Sequence, residues 1–293
     1  MKNFIILIPV YNDWENLNKL LKKINDEAER NNFEFEIFLI NDSSTINADI
    51  NFRKTKNIIS LNILNLLKNI GSQRAIALGL EYLFESKKNK LSDIIIMDSD
   101  GQDDPEILKT LINASENSDS DVTVVERTNR NEPLWFQFFY FLHKKVLFIF
   151  TGKHIKFGNF SLIKSKELKN LVNKADLWAA YPAAVVNNLK KINRIKSERK
   201  KRYSGETKMN LKKLFYHSSR VFSVFKTKIF IISAIYAFII SIVFKNNPEV
   251  FYFFTFTLLM ANIYNFYISL INKNDFEKKS DNSKLKLKKN FDL

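Results

Sequence analysis

The feature that most constrains this chain is the stretch Asp93-Ile-Ile-Ile-Met-Asp98-Ser-Asp100-Gly-Gln-Asp-Asp-Pro105. Ile94, Ile95, Ile96 and Met97 form an unbroken apolar run. That is the pattern of a central parallel strand covered by helices on both faces. Asp98 and Asp100 stand where such a strand stops, and in open parallel sheets ligands bind outside the carboxyl ends of the strands. Carboxylates at i and i+2 share a face on extended backbone. Such a pair suits a hard divalent cation that also carries substrate phosphates. Gln102 can add a carbonyl oxygen, and Pro105 with Glu106 opens a helix that Asp103 or Asp104 would cap. An Asp-rich loop between strand and helix is also commonly just a solvated, capped turn. The metal reading therefore needs support from the rest of the chain.

Residues 4–10 read as a first strand, broken by Pro9, rather than as a signal peptide. The run is short and enters Tyr11-Asn12-Asp13-Trp14-Glu15 with no small-residue cleavage site. Asn12 or Asp13 can cap a helix to about residue 29, with Leu17, Leu20, Leu21 and Ile24 at helical spacing. Strands are expected over 35–40, 58–64 and 122–125, and helices over 72–84, behind Gly71, and 105–117. The alternation predicts an α/β fold with a mostly parallel sheet and right-handed crossovers. Asp13, Asp42, Asp98, Asp100 and Arg127 all follow strands, which places them along one edge of that sheet. Residues 134–149 are rich in Phe, Leu, Trp and Tyr, with His143, Lys144 and Lys145 embedded. They read equally as a core helix and as an amphipathic helix at a membrane surface.

The net charge of +15 calls for an anionic partner: nucleic acid, an anionic membrane or a phosphorylated substrate. The absence of cysteine excludes disulfides and thiolate metal sites. Positive charge dominates residues 190–228, directly ahead of two apolar segments, 229–244 and 250–271. The second is long enough to span a bilayer, which takes roughly 20 residues, and the first is a little short. Together they read as a transmembrane helical hairpin. Asn262, Tyr264 and Asn265 keep a buried hairpin of a soluble domain as the competing reading. Basic flanks on both outer sides put both termini and the amino-terminal domain on the cytoplasmic side of a bacterial inner membrane. The cations gather beside apolar spans, not along a groove with stacking aromatics, which argues against a nucleic-acid partner. The expected division is a cytoplasmic domain over 1–210, a basic juxtamembrane helix over 211–228, two transmembrane helices over 229–271 and a basic disordered tail over 272–293. A homo-oligomer is left open.

Several motifs then fall into one order. Ile8-Pro9-Val10-Tyr11-Asn12, Asn41-Asp42-Ser43-Ser44-Thr45, Gly71-Ser-Gln73-Arg74-Ala75 and Asp98-Ser99-Asp100-Gly101-Gln102-Asp103 resemble family 2 glycosyltransferases of the GT-A (Rossmann-like) fold. Within that family the chain is most similar to the polyprenyl-phosphate and dolichyl-phosphate sugar transferases. Gly158-Asn159-Phe160-Ser161-Leu162 resembles their acceptor-loop segment. Arg199-x-x-Arg202-x-x-Gly205-x-Thr207-Lys208 resembles a motif ahead of their membrane helices. The resemblance implies that Pro9, Tyr11, Asp13, Asp42 and Ser99 hold the donor nucleotide. It implies that Asp98, Asp100 and Gln102 bind Mg²⁺ or Mn²⁺ and the donor diphosphate, that Arg127 sits beside a phosphate, and that Arg202 and Lys208 close over the phosphates. The implied reaction is inverting transfer of a sugar from a nucleoside-diphosphate sugar to a membrane-associated acceptor, foremost a polyprenyl phosphate. A lipid phosphate is already an anion and needs no general base. A glycan hydroxyl, the alternative acceptor, needs one, and Asp176 is the single candidate the sequence offers. A sugar nucleotidyltransferase would want a Gly-rich phosphate loop after the first strand, which Pro9-Val-Tyr-Asn-Asp13 is not. A non-catalytic membrane-tethered binding or assembly subunit is disfavoured by the intact Asp98 and Asp100.

Overall fold

Hydrophobic runs that are buried on both faces demand a sheet sandwiched by helices, and the computed structural model has one. It describes residues 2–51, 55–87, 91–128, 134–205, 210–278 and 286–288. In chain order the elements are β1 (Lys2–Val10), α1 (Trp14–Asn31), β2 (Phe33–Asn41), β3 (Ile58–Asn65), α2 (Ser72–Ser86), β4 (Ile94–Ile96), α3 (Leu108–Glu116) and β5 (Val122–Arg127). There follow α4 (Leu134–Thr151), β6 (Phe157–Ile163), α5 (Ala175–Ala179), α6 (Tyr181–Asn188), β7 (Ile192–Ser197), α7 (Leu211–Val224), α8 (Lys226–Val243), α9 (Pro248–Glu277) and β8 (Lys286–Lys288). They group into two units. One holds the sheet and spans residues 1–130, 156–208 and 278–293; the other spans 131–155 and 209–277.

In the first unit the strand order is β7-β5-β6-β4-β1-β2-β3-β8. The pairs β1–β2, β1–β4, β2–β3 and β5–β7 are parallel, while β6 runs antiparallel to both β4 and β5. The antiparallel strand has a consequence for the site. It starts at the edge where β4 and β5 end, so Gly158 and Asn159 meet Asp98 and Arg127 there. The core is the apolar side chains of β1, β2 and β4 with the inner faces of α1 and α3, including Leu17, Leu20, Leu21, Ile24, Leu108, Leu111 and Ile112. Gly79 of α2 lets that helix sit close to the sheet: a Cβ there would lie 2.7 Å from Leu7 Cδ1 and 2.9 Å from Ile40 Cδ1.

Two sequence expectations are corrected, and one stretch gains an element the sequence reading did not assign. Pro9 does not break the first strand, which runs through it to Val10. Ile5 and Leu7 bond toward β4, so the N–H that Pro9 lacks would point the same way. The ladder to β4 has already ended at the Leu7–Ile96 pair, so no ladder bond is lost. The segment 158–162 is not a loop but the interior of β6; Gly158, beside the Arg127 guanidinium, and Asn159, bonded to Asp98, interrupt its apolar pattern. Finally, the first part of the 190–228 charge run is the edge strand β7. An edge strand tolerates charge on its solvent-facing positions, so Arg194 and Lys196 are exposed while Ile192 and Ile195 are half-buried.

Among the described residues the elements of the second unit are all helices. α8 and α9 are long and apolar enough to cross a membrane. At 1.5 Å per residue, the 18 residues of α8 rise about 27 Å and the 30 of α9 about 45 Å. Polar residues within α9 turn toward neighbouring helices: Tyr264 shares a hydrogen bond with Ser219 at 3.1 Å, Asn272 donates to Ser223 at 3.0 Å and Ser269 accepts from Lys226 at 2.7 Å. By contrast Phe230, Phe238, Ile242, Phe253, Phe256 and Phe266 are exposed. Residues 134–151 belong to this helical unit, where α4 also exposes Leu134, Phe138 and Phe141.

Candidate active site

The carboxyl ends of β1, β4 and β5 and the start of β6 converge on one acidic cluster. After β4 the chain turns at Asp98, and Gly101, at φ +79°, reverses it. Asp103 accepts the Asp98 backbone N–H at 2.9 Å and Asp100 accepts the Gln102 N–H at 3.0 Å. Asp98 Oδ1 accepts from Asn159 Nδ2 at 2.8 Å. Its other oxygen lies 4.0 Å from Arg127 Nη2, which is also 3.7 Å from Asp103 Oδ1. Gly158 makes room for that guanidinium, since a Cβ there would stand 2.4 Å from Arg127 Nη2.

A strap over residues 199–205 lies against the same turn. Lys200 donates its N–H to the Gln102 carbonyl and Tyr203 its N–H to the Asp100 carbonyl, both at 3.2 Å. Arg202 reaches Asp100 Oδ2 at 3.3 Å and Asp13 Oδ2 at 2.8 Å. Ser99 donates to the same Asp13 oxygen at 3.2 Å. Asp13 occupies the N-cap position of α1 but gives the helix no capping bond; its carboxylate is committed to the cluster instead. Asp104 does cap the following turn, accepting from Glu106 N at 3.2 Å.

Burial and neighbouring charge set the electrostatics. Burial first, and then the charge of Asp98, push Asp103 up to about 7 despite Arg127 beside it. The same two causes raise Asp100, against the pull of the Gln102 N–H, Arg202 and Arg199. Like charges in one desolvated place disfavour ionisation. Asp13, Asp98, Asp100 and Asp103 thus form an electronegative site that Arg127 and Arg202 neutralise only in part.

That excess negative charge is the test of whether the residues suit a divalent ion, and they do. Among the described residues no three His, Cys, Asp or Glu side chains are grouped so as to hold a metal ion by themselves. Mg²⁺ does not require one, because it is usually held by one or two carboxylates with substrate phosphates and waters completing the shell. Asp98 and Asp100 would be those carboxylates. Gln102 enters the present hydrogen bonds through its backbone.

The other expected residues are placed as follows. Asp42 is buried, and its two oxygens accept the N–H groups of Ile70 at 2.8 Å and Gly71 at 2.9 Å. Burial raises its carboxyl and these two bonds lower it. It therefore shapes the loop ahead of α2. Pro9 is buried in β1, and Tyr11 is 37% exposed at the rim. Asp176 is not drawn into the cluster by its hydrogen bonds: its Oδ2 accepts from Asn187 at 2.9 Å and Asn188 at 3.0 Å. Lys208 lies outside the described residues. Sequence reasoning missed two contributors. Asn12 ties the loop after β1 to the loop after β2, its Oδ1 accepting from Thr45 N at 2.8 Å and Ile46 N at 3.1 Å; its φ is +51°, a conformation enriched in Asn, and that residue type is the one local signal. Of the two residues the sequence offers as a cap, Asp104 takes that role, which leaves Asp103 to accept the Asp98 N–H within the cluster.

A family model described as glycosyl transferase family 2 matches residues 5–172. Among solved structures, glucosyl-3-phosphoglycerate synthase from Mycobacterium tuberculosis in complex with Mg²⁺ and UDP aligns with a TM-score of 0.55 at 10% identity, covering 78% of this chain and 79% of that one. The same enzyme with Mn²⁺ and UDP-glucose gives 0.55 at 9% identity over the same shares. S. aureus TarS 1–349 in complex with UDP-GlcNAc gives 0.49 at 14% identity, covering 96% of this chain and 92% of that one.

Proposed function

The chain belongs to glycosyl transferase family 2, and from that premise we propose that it is a metal-dependent, inverting, membrane-anchored transferase. Its donor is a nucleoside-diphosphate sugar and its acceptor a polyprenyl phosphate. The observation that carries the reading is the partly neutralised cluster of Asp98 and Asp100 facing Arg127 and Arg202. Mg²⁺ with UDP and Mn²⁺ with UDP-glucose, in solved structures of one enzyme of the same fold, support the choice of ion. The ion, when bound, offsets negative charge on the departing diphosphate.

The chain's own residues do the rest. Asp98 and Asp100 hold the ion at the sheet edge. Arg202 exchanges its carboxylate partners for phosphate oxygens, and Arg127 supplies a second fixed cation where charge builds. Until that exchange Asp13, itself bonded by Ser99, holds Arg202 at the cluster. Attack from the sugar face opposite the leaving diphosphate inverts the anomeric centre. A phosphate nucleophile asks for no base, in keeping with an Asp176 engaged by two asparagine amides. α8 and α9 anchor the chain in the bacterial inner membrane, with the catalytic domain and both termini on the cytoplasmic side.

The test uses membranes carrying the full chain, a panel of radiolabelled nucleotide-sugars and organic extraction, with and without EDTA. The reading expects label in the organic phase that disappears with EDTA and returns with Mg²⁺ or Mn²⁺. Label confined to aqueous glycan overturns the acceptor assignment, and EDTA-resistant transfer overturns the metal assignment.

A further inference from the structure

One line of side-chain amides runs from the carboxylate cluster into the protein, and its polarity is fixed at the far end. Tyr181 is the first residue of α6, so its backbone N–H has no acceptor within the helix. It donates to Gln73 Oε1 at 2.8 Å. Gln73 Nε2 donates to Asn159 Oδ1 at 2.9 Å, and Asn159 Nδ2 donates to Asp98 Oδ1 at 2.8 Å. A backbone N–H can only donate, so Gln73 must turn its oxygen to Tyr181 and its NH₂ to Asn159. Asn159 must then turn its own oxygen to Gln73 and its NH₂ to Asp98. The anchor is rigid: Tyr181 is fully buried, its hydroxyl 2.5 Å from Ser161 Oγ, which in turn donates to the Asn159 carbonyl at 2.9 Å.

We propose that Gln73 and Asn159 are positioning residues that set the orientation of Asp98. With Oδ1 held by Asn159, the carboxylate is locked in rotation, and Oδ2, on the Arg127 side, is the oxygen presented to a divalent ion. The inference rests on the metal reading above. It adds that ion affinity depends on the direction of two side-chain amides that touch neither the ion nor the donor.

The experiment is Mn²⁺ binding to the detergent-solubilised full chain at pH 8, followed by the electron paramagnetic resonance of free Mn²⁺, with thermal midpoints measured alongside. Wild type binds Mn²⁺ and Asp98→Asn does not. Asn159→Ala raises the Kd roughly 10- to 100-fold, the usual effect of losing an outer partner of a metal ligand. Gln73→Met raises it less. Gln73→Glu, closer to Gln in shape and still able to accept from Tyr181, raises it more than Gln73→Met does, because its carboxylate turns the Asn159 oxygen toward Asp98. A packing role predicts the reverse order for the two Gln73 variants. If wild type fails to bind Mn²⁺, or Asp98→Asn binds as well, the metal reading falls and this inference with it. If those two behave as expected but the Asn159 and Gln73 variants keep the wild-type Kd, or the two Gln73 variants rank in the reverse order, the positioning role alone is overturned. Should Asn159→Ala fail to fold, the Gln73 pair still decides the matter.

Discussion

Replacing Gly101 by alanine should release the strap that carries Arg202. Two separate costs arise. Gly101 has φ +79°, and left-handed backbone costs a residue with a Cβ on the order of 1–2 kcal/mol. The added Cβ would also fall 2.2 Å from Tyr203 Cε2 and 2.4 Å from Cδ2, an overlap that only movement can relieve; overpacking of this kind costs roughly 1–3 kcal/mol. Relief requires Tyr203 to leave its place, where one backbone bond to Asp100, Lys23 Nζ 4.8 Å from its ring centroid and packing against the edge of the core hold it. Gly205→Ala is the matched control. Gly205 has the same φ, +79°, but its nearest atom is Arg202 Nε at an ordinary 3.9 Å, so it incurs the strain without the clash. The assay is limited trypsin digestion at low protease, scored by mass spectrometry at the bonds after Arg199 and Arg202. Cleavage then follows the open population of the strap. The 1–3 kcal/mol that separates the variants corresponds to about 5- to 150-fold faster cleavage in Gly101→Ala, at tenfold per 1.4 kcal/mol. Equal rates in the two variants would refute the packing of Tyr203 on Gly101.

Further outcomes follow from the same geometry. In EDTA, stability should fall as pH rises from about 4 to 7, because folded Asp103 keeps a proton to about 7 while the unfolded residue loses it near 3.8. The folded state holds the extra proton in that window, so raising the pH penalises it by a few kcal/mol at most; thermal midpoints in Asp103→Asn should lose most of this slope, and an unchanged slope counts against it. Asp176→Asn separates the acceptor chemistries: transfer persists if the acceptor is a phosphate, whereas a fall of about 10²- to 10⁴-fold marks a hydroxyl acceptor with Asp176 as base. Truncation after Lys228 should free the protein from carbonate-washed membranes, and a full-length chain that is itself extracted by carbonate would end the anchor assignment.

Much of the site could be read from the sequence because its residues follow apolar runs. Asp98, Asp100 and Arg127 are each announced by the strand before them, and the structure brings them together. The unread part is of two kinds. Asp13 and Asp42 are in the right loops, but their partners are distant: Arg202 for the first, and the backbone of Ile70 and Gly71 for the second. Asn159 and Gly158 look like loop residues because, at the start of β6, an amide that reaches Asp98 and the space that Arg127 fills stand where apolar side chains would otherwise mark a strand.

Local periodicity by itself determined that this chain alternates strands with helices, that a buried strand ends in carboxylates at residue 98, and that two long apolar helices follow a basic region. Those properties are written within windows of a few residues to a few turns. Only the tertiary structure decided which groups answer those carboxylates. Asn159 reaches Asp98 across 61 residues and Arg202 reaches Asp13 across 189. Such pairings depend on the strand order and on β6 running against its neighbours, which no local pattern encodes.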